Sequence, residues 1–111
     1  MQNKIISLLG FAAKAGKIGF GFDAAVACAK SKKAKLIAVS EEISPKSKKE
    51  IKFYCDKYNV KYIVLENFDN MAIEKAVGRK CGIVSINETG FADAIENAIK
   101  ENEVGGNADD R

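Results

Sequence analysis

Lys35-Leu36-Ile37-Ala38-Val39-Ser40, running on into Glu41-Glu42-Ile43-Ser44-Pro45, is the stretch on which the fold turns. Leu36 to Val39 are apolar without a break, whereas a strand with one wet face alternates apolar and polar residues. The run therefore predicts a short strand covered on both sides. Ser44-Pro45 then opens a helix, serine as cap and proline in the first turn, where its missing N–H costs nothing. Strand followed directly by helix is the unit of a layered α/β fold.

Working outward, the same alternation recurs in both directions. Before the strand, Ile5, Leu8, Leu9 and Ala12 fall at i, i+3, i+4 and i+7, predicting a helix over Asn3 to Ala15 that Gly16 ends. Ile18 to Phe20 form a short strand, and a turn at Gly21-Phe22-Asp23 leads to a second helix, with Asp23 as its N-cap and Ala24 to Ala29 as its body. After the strand, the helix opened by Ser44 carries Ile51, Tyr54, Cys55 and Tyr58 inward and Lys46, Lys48, Lys49, Lys52 and Asp56 outward. Val60 to Leu65 is a strand. A helix spans Asn70 to Val77, capped by Asp69 or Asn67, and Cys81 to Ile86 is another strand. The last helix, Gly90 to Lys100, buries Phe91, Ala94, Ile95 and Ala98. The expected fold class is α/β, a three-layer α-β-α sandwich around a four-stranded mixed sheet, in one domain over residues 1–100. Residues 101–111 are rich in Glu, Gly, Asn and Asp and are expected to form a disordered acidic tail.

Composition narrows the function. No stretch of about 18 apolar residues occurs, and the N-terminus has no signal-peptide core, so a cytoplasmic, non-membrane protein is expected. Cys28, Cys55 and Cys81 are odd in number and far apart, which fits reduced, buried thiols. The net charge of +3 conceals a division. Residues 1–80 hold sixteen Lys and Arg against eight Asp and Glu, and residues 81–111 hold two against seven. A basic body of this kind suits a polyanion, whose condensed counterions it would release.

The absence of histidine removes the usual general base at neutral pH and the commonest metal ligand. Gly10-Phe11-Ala12-Ala13-Lys14-Ala15-Gly16-Lys17 ends like a phosphate loop, but five residues separate its glycines and Ile18 stands where magnesium would need a hydroxyl. Glu41-Glu42 lies at the end of a strand, where α/β enzymes often keep carboxylates, yet neighbouring side chains diverge and nothing completes a site. No catalytic group, metal or cofactor is expected.

Particular residues carry a resemblance over roughly Ile5 to Ile99. They are Leu8 to Lys17 (LLGFAAKAGK), Gly21 before the second helix, Ala34 to Glu42 (AKLIAVSEE) and Ala76-Val77-Gly78. On these the chain resembles the kink-turn-binding ribosomal protein family known as seven-Ae and thirty-e, especially its bacterial YlxQ-type branch. The resemblance implies an α-β-α sandwich that grips sharply bent RNA, with Gly21, Phe22 and Asp23 at the RNA and Lys14, Gly16 and Lys17 nearby. It also implies that the loop Gly78-Arg79-Lys80-Cys81 covers the flipped-out nucleotide. Lys30 and Lys33, in the cluster with Lys32 and Lys35, are expected to contact phosphate, and Lys46, Lys48, Lys49 and Lys52 to be a solvated face. Phe22 is either a core residue or a platform on which a base stacks.

Where the family's archetypal binders have Asn-Glu after the glycine and Lys three residues further on, this chain has Asp23, Ala24 and Ala27. Asp23 can accept a hydrogen bond but not donate one, and the alanines make no polar contact. The expected function is thus non-catalytic binding of structured RNA by a monomer, with ribosomal RNA as target and ribosome or assembly proteins as further partners. The alternative is a protein-interaction adaptor that kept the fold and lost the RNA grip.

Overall fold

The computed structural model describes residues 2–108, with side chains from Lys4 to Glu101. Along these residues the order is α1 (Gln2–Lys14), β1 (Ile18–Phe20), α2 (Gly21–Lys30), β2 (Leu36–Ser40), α3 (Pro45–Tyr58), β3 (Lys61–Leu65), α4 (Asn70–Val77), β4 (Ile83–Ile86) and α5 (Thr89–Ala108). Every expected element is present, α4 with the expected bounds. α5 runs beyond Lys100 as backbone helix to Ala108; residues 109–111, the end of the expected tail, lie outside the described residues.

The four strands form one mixed sheet in the order β1-β4-β2-β3. β4 is antiparallel to both β1 and β2, and β2 is parallel to β3. All five residues of β2 are buried, as its unbroken apolar run requires. Pleating divides them between two cores. Leu36 and Ala38 join Ile5, Leu9, Ile73, Val77, Ile95 and Ala98 under α1, α4 and α5. Ile37 and Val39 join Ala25, Ala29, Ile51 and Cys55 under α2 and α3. Each fully buried Leu or Ile contributes about 1.5–3 kcal/mol, so two cores sharing one sheet hold all three layers together.

Two helices start as the sequence reading expects. Ser44 Oγ accepts from Ser47 N at 3.1 Å with Pro45 in the first turn, and Asp69 Oδ1 accepts from Ala72 N at 2.8 Å. α2 differs. Its N-cap is Phe20, not Asp23, and no side chain caps it. Gly21, at φ +90°, turns the chain from strand into helix within one residue, which brings the helix start forward and leaves Asp23 in the first turn. Cys55 is buried, but Cys28 and Cys81 are only half-buried because they lie near the rims of the sheet; all three thiols are free.

Candidate nucleic-acid interface

Strand register places the expected site residues. β1 pairs Ile18 with Ile86 and Phe20 with Val84, while β2 pairs Leu36 with Ile86 and Val39 with Ile83. The sheet therefore has one end marked by Phe20, Ile83 and Ser40, and an opposite end marked by Ile18, Ile86 and Leu36.

At the first end, β1 passes through Gly21 into α2. The first-turn amides of a helix have no partners inside it, and with no side-chain cap those of α2 are left to an outside acceptor. Gly21 is half-buried, and a Cβ there would meet nothing within 4 Å, so the turn is open. The loop after α4 arrives beside it. Gly78, at φ +79°, ends α4 in a left-handed cap, and Arg79 then lays its guanidinium 4.8 Å from the Phe20 ring centroid. This cation–π contact, worth about 0.5–2 kcal/mol, holds a positive planar group next to the open helix end. Lys80 is exposed on the same loop. Cys81, which follows, has its thiol pushed above the ordinary range by burial, partly offset by Arg79, so it stays neutral.

Glu41 and Glu42 also lie at this end, and the structure gives them work. Glu41 Oε1 accepts from Asn67 N and Glu42 Oε1 from Asn70 N, each at 2.8 Å. Ser40 Oγ donates to Asn70 Oδ1 and accepts from Glu42 N at 3.1 Å. The two acids thereby tie the end of β2 to the start of α4. No group of three or more metal-ligating side chains occurs among the described residues.

Phe22 is half-buried against the α2–α3 core and meets Tyr54 edge-on, centroids 6.2 Å apart. One side of its ring is thus packed and the residue remains partly open, a position between the two expected roles. Asp23 is exposed in the first turn of α2. Lys14, in the last turn of α1, shares a recess with Lys75 and Gly78, so it belongs to the flank of the Arg79 loop.

The remaining expected residues lie elsewhere. Gly16 and Lys17 precede β1, and Lys17 O accepts from Asn87 N at 2.8 Å beyond the Ile86 end of the sheet. Lys35 N donates to Ile86 O at 2.8 Å at that same end. Lys33 N and Ala34 N both bond Cys28 O, which holds the Lys30–Lys35 turn there too. From Lys17 to Gly21 the strand covers roughly 13 Å, and α2 carries Lys30 about as far from Gly21 as its length allows. Lys17 is expected near the Gly21 turn; β1 lies between them, with Lys17 at the other end of the strand. Gly21, Phe22, Asp23, Gly78, Arg79 and Lys80, flanked by Lys14, are brought together; Gly16, Lys17, Lys30 and Lys33 are at the opposite end.

Lys46, Lys48, Lys49 and Lys52 are expected to be a solvated face; α3 leaves the Ser40 end of the sheet, so Lys46 and Lys49, both exposed, stand in its first turns at that end. Lys48 nearby donates from Nζ to Glu41 O at 2.9 Å. The signal in sequence was Ser44-Pro45 itself, because a helix start soon after a strand end lies at that strand's end.

The chain is 28% identical over 99 residues to the RNA-binding protein YlxQ of Enterococcus faecium, covering 89% of this chain and 94% of that protein. A Bacillus halodurans protein of unknown function superposes with a TM-score of 0.82 at 23% identity, covering 88% of this chain and 98% of the other. The Giardia lamblia 15.5kD RNA binding protein gives 0.74 at 16% identity, over 92% and 87%. Residues 3–96 match the sequence profile of the ribosomal protein L7Ae/L30e/S12e/Gadd45 family, and with that match the chain belongs to this family.

Proposed function

We propose that the chain is a non-catalytic RNA-binding protein that takes structured, kink-turn-like RNA, with ribosomal RNA as its target, on the sheet end formed by Gly21, Phe22, Asp23, Gly78, Arg79 and Lys80. The observation that carries this reading is the uncapped start of α2 with Arg79 fixed beside it on the Phe20 ring. Helix-end amides offer donors and the positive end of a dipole to a phosphate or a base acceptor. Arg79 adds a planar donor suited to phosphate or to stacking. Family membership and the YlxQ and Giardia relatives, both named for RNA binding, support the same partner. RNA is read chiefly through shape and unpaired bases, which suits an open turn more than a deep cleft.

Binding is tested by gel shift with a kink-turn RNA and a straight duplex of equal length. The bent RNA is expected to bind at least tenfold more tightly. Equal affinity would remove the specificity for bent RNA, and recovery from lysate of a protein partner insensitive to nuclease, without RNA, would favour the adaptor role. Asp23→Asn with Ala24→Glu restores donor and acceptor groups to the first turn of α2. This double variant is expected to bind the kink-turn more tightly still, and no gain would show that these positions do not face the RNA.

A further inference from the structure

α3 carries a second feature that the Gly21 end does not include. Lys46, Lys49, Phe53 and Lys57 recur at i, i+3, i+7 and i+11, so they form one ridge along the outer side of the helix. The ridge is roughly 16 Å long from Lys46 to Lys57. Phe53 is 58% exposed on it, a large ring facing water. The ring meets Tyr54 edge-on, with centroids 5.2 Å apart at 77°, and Lys57 Nζ lies 6.0 Å from its centroid.

Charge and continuity say what covers this ring. Among the described residues Lys46, Lys49 and Lys57 make no ion pair, whereas Lys52 is held by Asp56 at 3.4 Å. With Asp56 neutralised, Glu50 is the acid left beside three lysines, and the ridge is positive. Tyr54, in contact with Phe53, is also the residue that meets Phe22 in the first turn of α2. An aromatic path thus runs from the candidate interface onto the ridge. Lysines on both sides of an exposed ring are the arrangement by which single-stranded nucleic acid is held: bases stack, and phosphates meet cations.

We propose that the Lys46-Lys49-Phe53-Lys57 ridge is a second RNA contact, on which an unpaired nucleotide flanking the bent element stacks against Phe53 while neighbouring phosphates lie on the lysines. The proposal deepens the RNA-binding reading and rests on it, but its tests read the ridge separately. The chain has no Trp, so Phe53→Trp gives one tryptophan, excited at wavelengths the tyrosines do not absorb. Titration of this full-length variant with a uridine decamer is expected to quench that emission saturably, with half-saturation shifting to higher RNA concentration as salt is raised. Unchanged emission would overturn the proposal.

In the second test, a kink-turn RNA with a ten-nucleotide single-stranded extension is compared with the blunt form. The extension is expected to tighten binding about tenfold, the lower part of the range for one stacked base. Phe53→Ala is expected to abolish that gain and leave blunt RNA unaffected. A gain that survives Phe53→Ala would overturn the ridge, as would self-association of the wild-type chain that Phe53→Ala abolishes, which would assign the ring to a second copy. Quenching by the decamer without affinity for the blunt kink-turn RNA would instead sink the bent-RNA reading and sustain the ridge.

Discussion

The two ends of the sheet carry similar numbers of basic residues but differ in what their backbone has left to offer. At the Ile86 end, Lys17 O, Lys33 N, Ala34 N and Lys35 N all have backbone partners, and the lysines project from a turn already closed upon itself. At the Phe20 end, α2 begins without a side-chain cap at a left-handed glycine, and an arginine is held beside it. Positive charge alone attracts any polyanion weakly and without register. Charge next to unpartnered donors can fix one in place.

The largest test of this contrast reverses charge at each end in turn. Arg79→Glu with Lys80→Glu is expected to reduce affinity for kink-turn RNA about a hundredfold, two contacts of roughly 1–3 kcal/mol each acting less than additively. Lys30→Glu with Lys33→Glu is expected to cost about threefold or less by gel shift. Equal losses would erase the distinction between the ends and leave only diffuse attraction.

Next in size, Gly21→Ala forces a Cβ onto a backbone at φ +90°. A loss of about 1–2 kcal/mol in chemical denaturation is expected from strain alone, and an unchanged midpoint would show that the turn relaxes. The cap contrast comes third. Ser44→Ala removes the acceptor for Ser47 N and is expected to lower stability by about 1 kcal/mol. Asp23→Ala removes no cap and is expected to cost less than half as much; a larger loss would mean that Asp23 supports α2 after all.

The smallest effect concerns Cys55, whose thiol burial pushes up from 9.0 to about 11. The unfolded chain ionises first, so stability is full below pH 9 and falls as pH rises from 9 towards 11. Native Cys55 is accordingly expected to resist iodoacetamide at pH 8.5 and to react on unfolding; rapid native labelling would mean that the α3 core opens locally.

Much of this architecture was legible in the residues. The unbroken run Leu36 to Val39 could only be a covered strand, Ser44-Pro45 stated where α3 begins, and Asp69 proved to cap α4. The residues of the candidate interface were legible, but their arrangement was not. Lys17 and Gly21 lie within five residues, yet β1 spends most of that distance crossing the sheet from one end to the other. α2 then returns Lys30 and Lys33 to the side the chain had left. Proximity in sequence is a poor guide to proximity in space wherever a strand intervenes, and strand register is a tertiary property. Asp23 was misplaced for a local reason: a glycine at positive φ can start a helix earlier than a polar side chain would suggest. Phe53 went unremarked because an aromatic between lysines resembles any amphipathic helix until its exposure is known.

The resting place of Arg79 has a kinetic meaning. A long cationic side chain ordinarily samples many rotamers, and whatever captures it must first suppress that freedom. Parked on the Phe20 ring, the guanidinium has given up much of its freedom before any partner arrives, so less entropy remains to be lost on contact. Replacing Phe20 with leucine would set the arginine swinging without removing its charge, and complexes would then be expected to form at a similar rate but dissociate sooner.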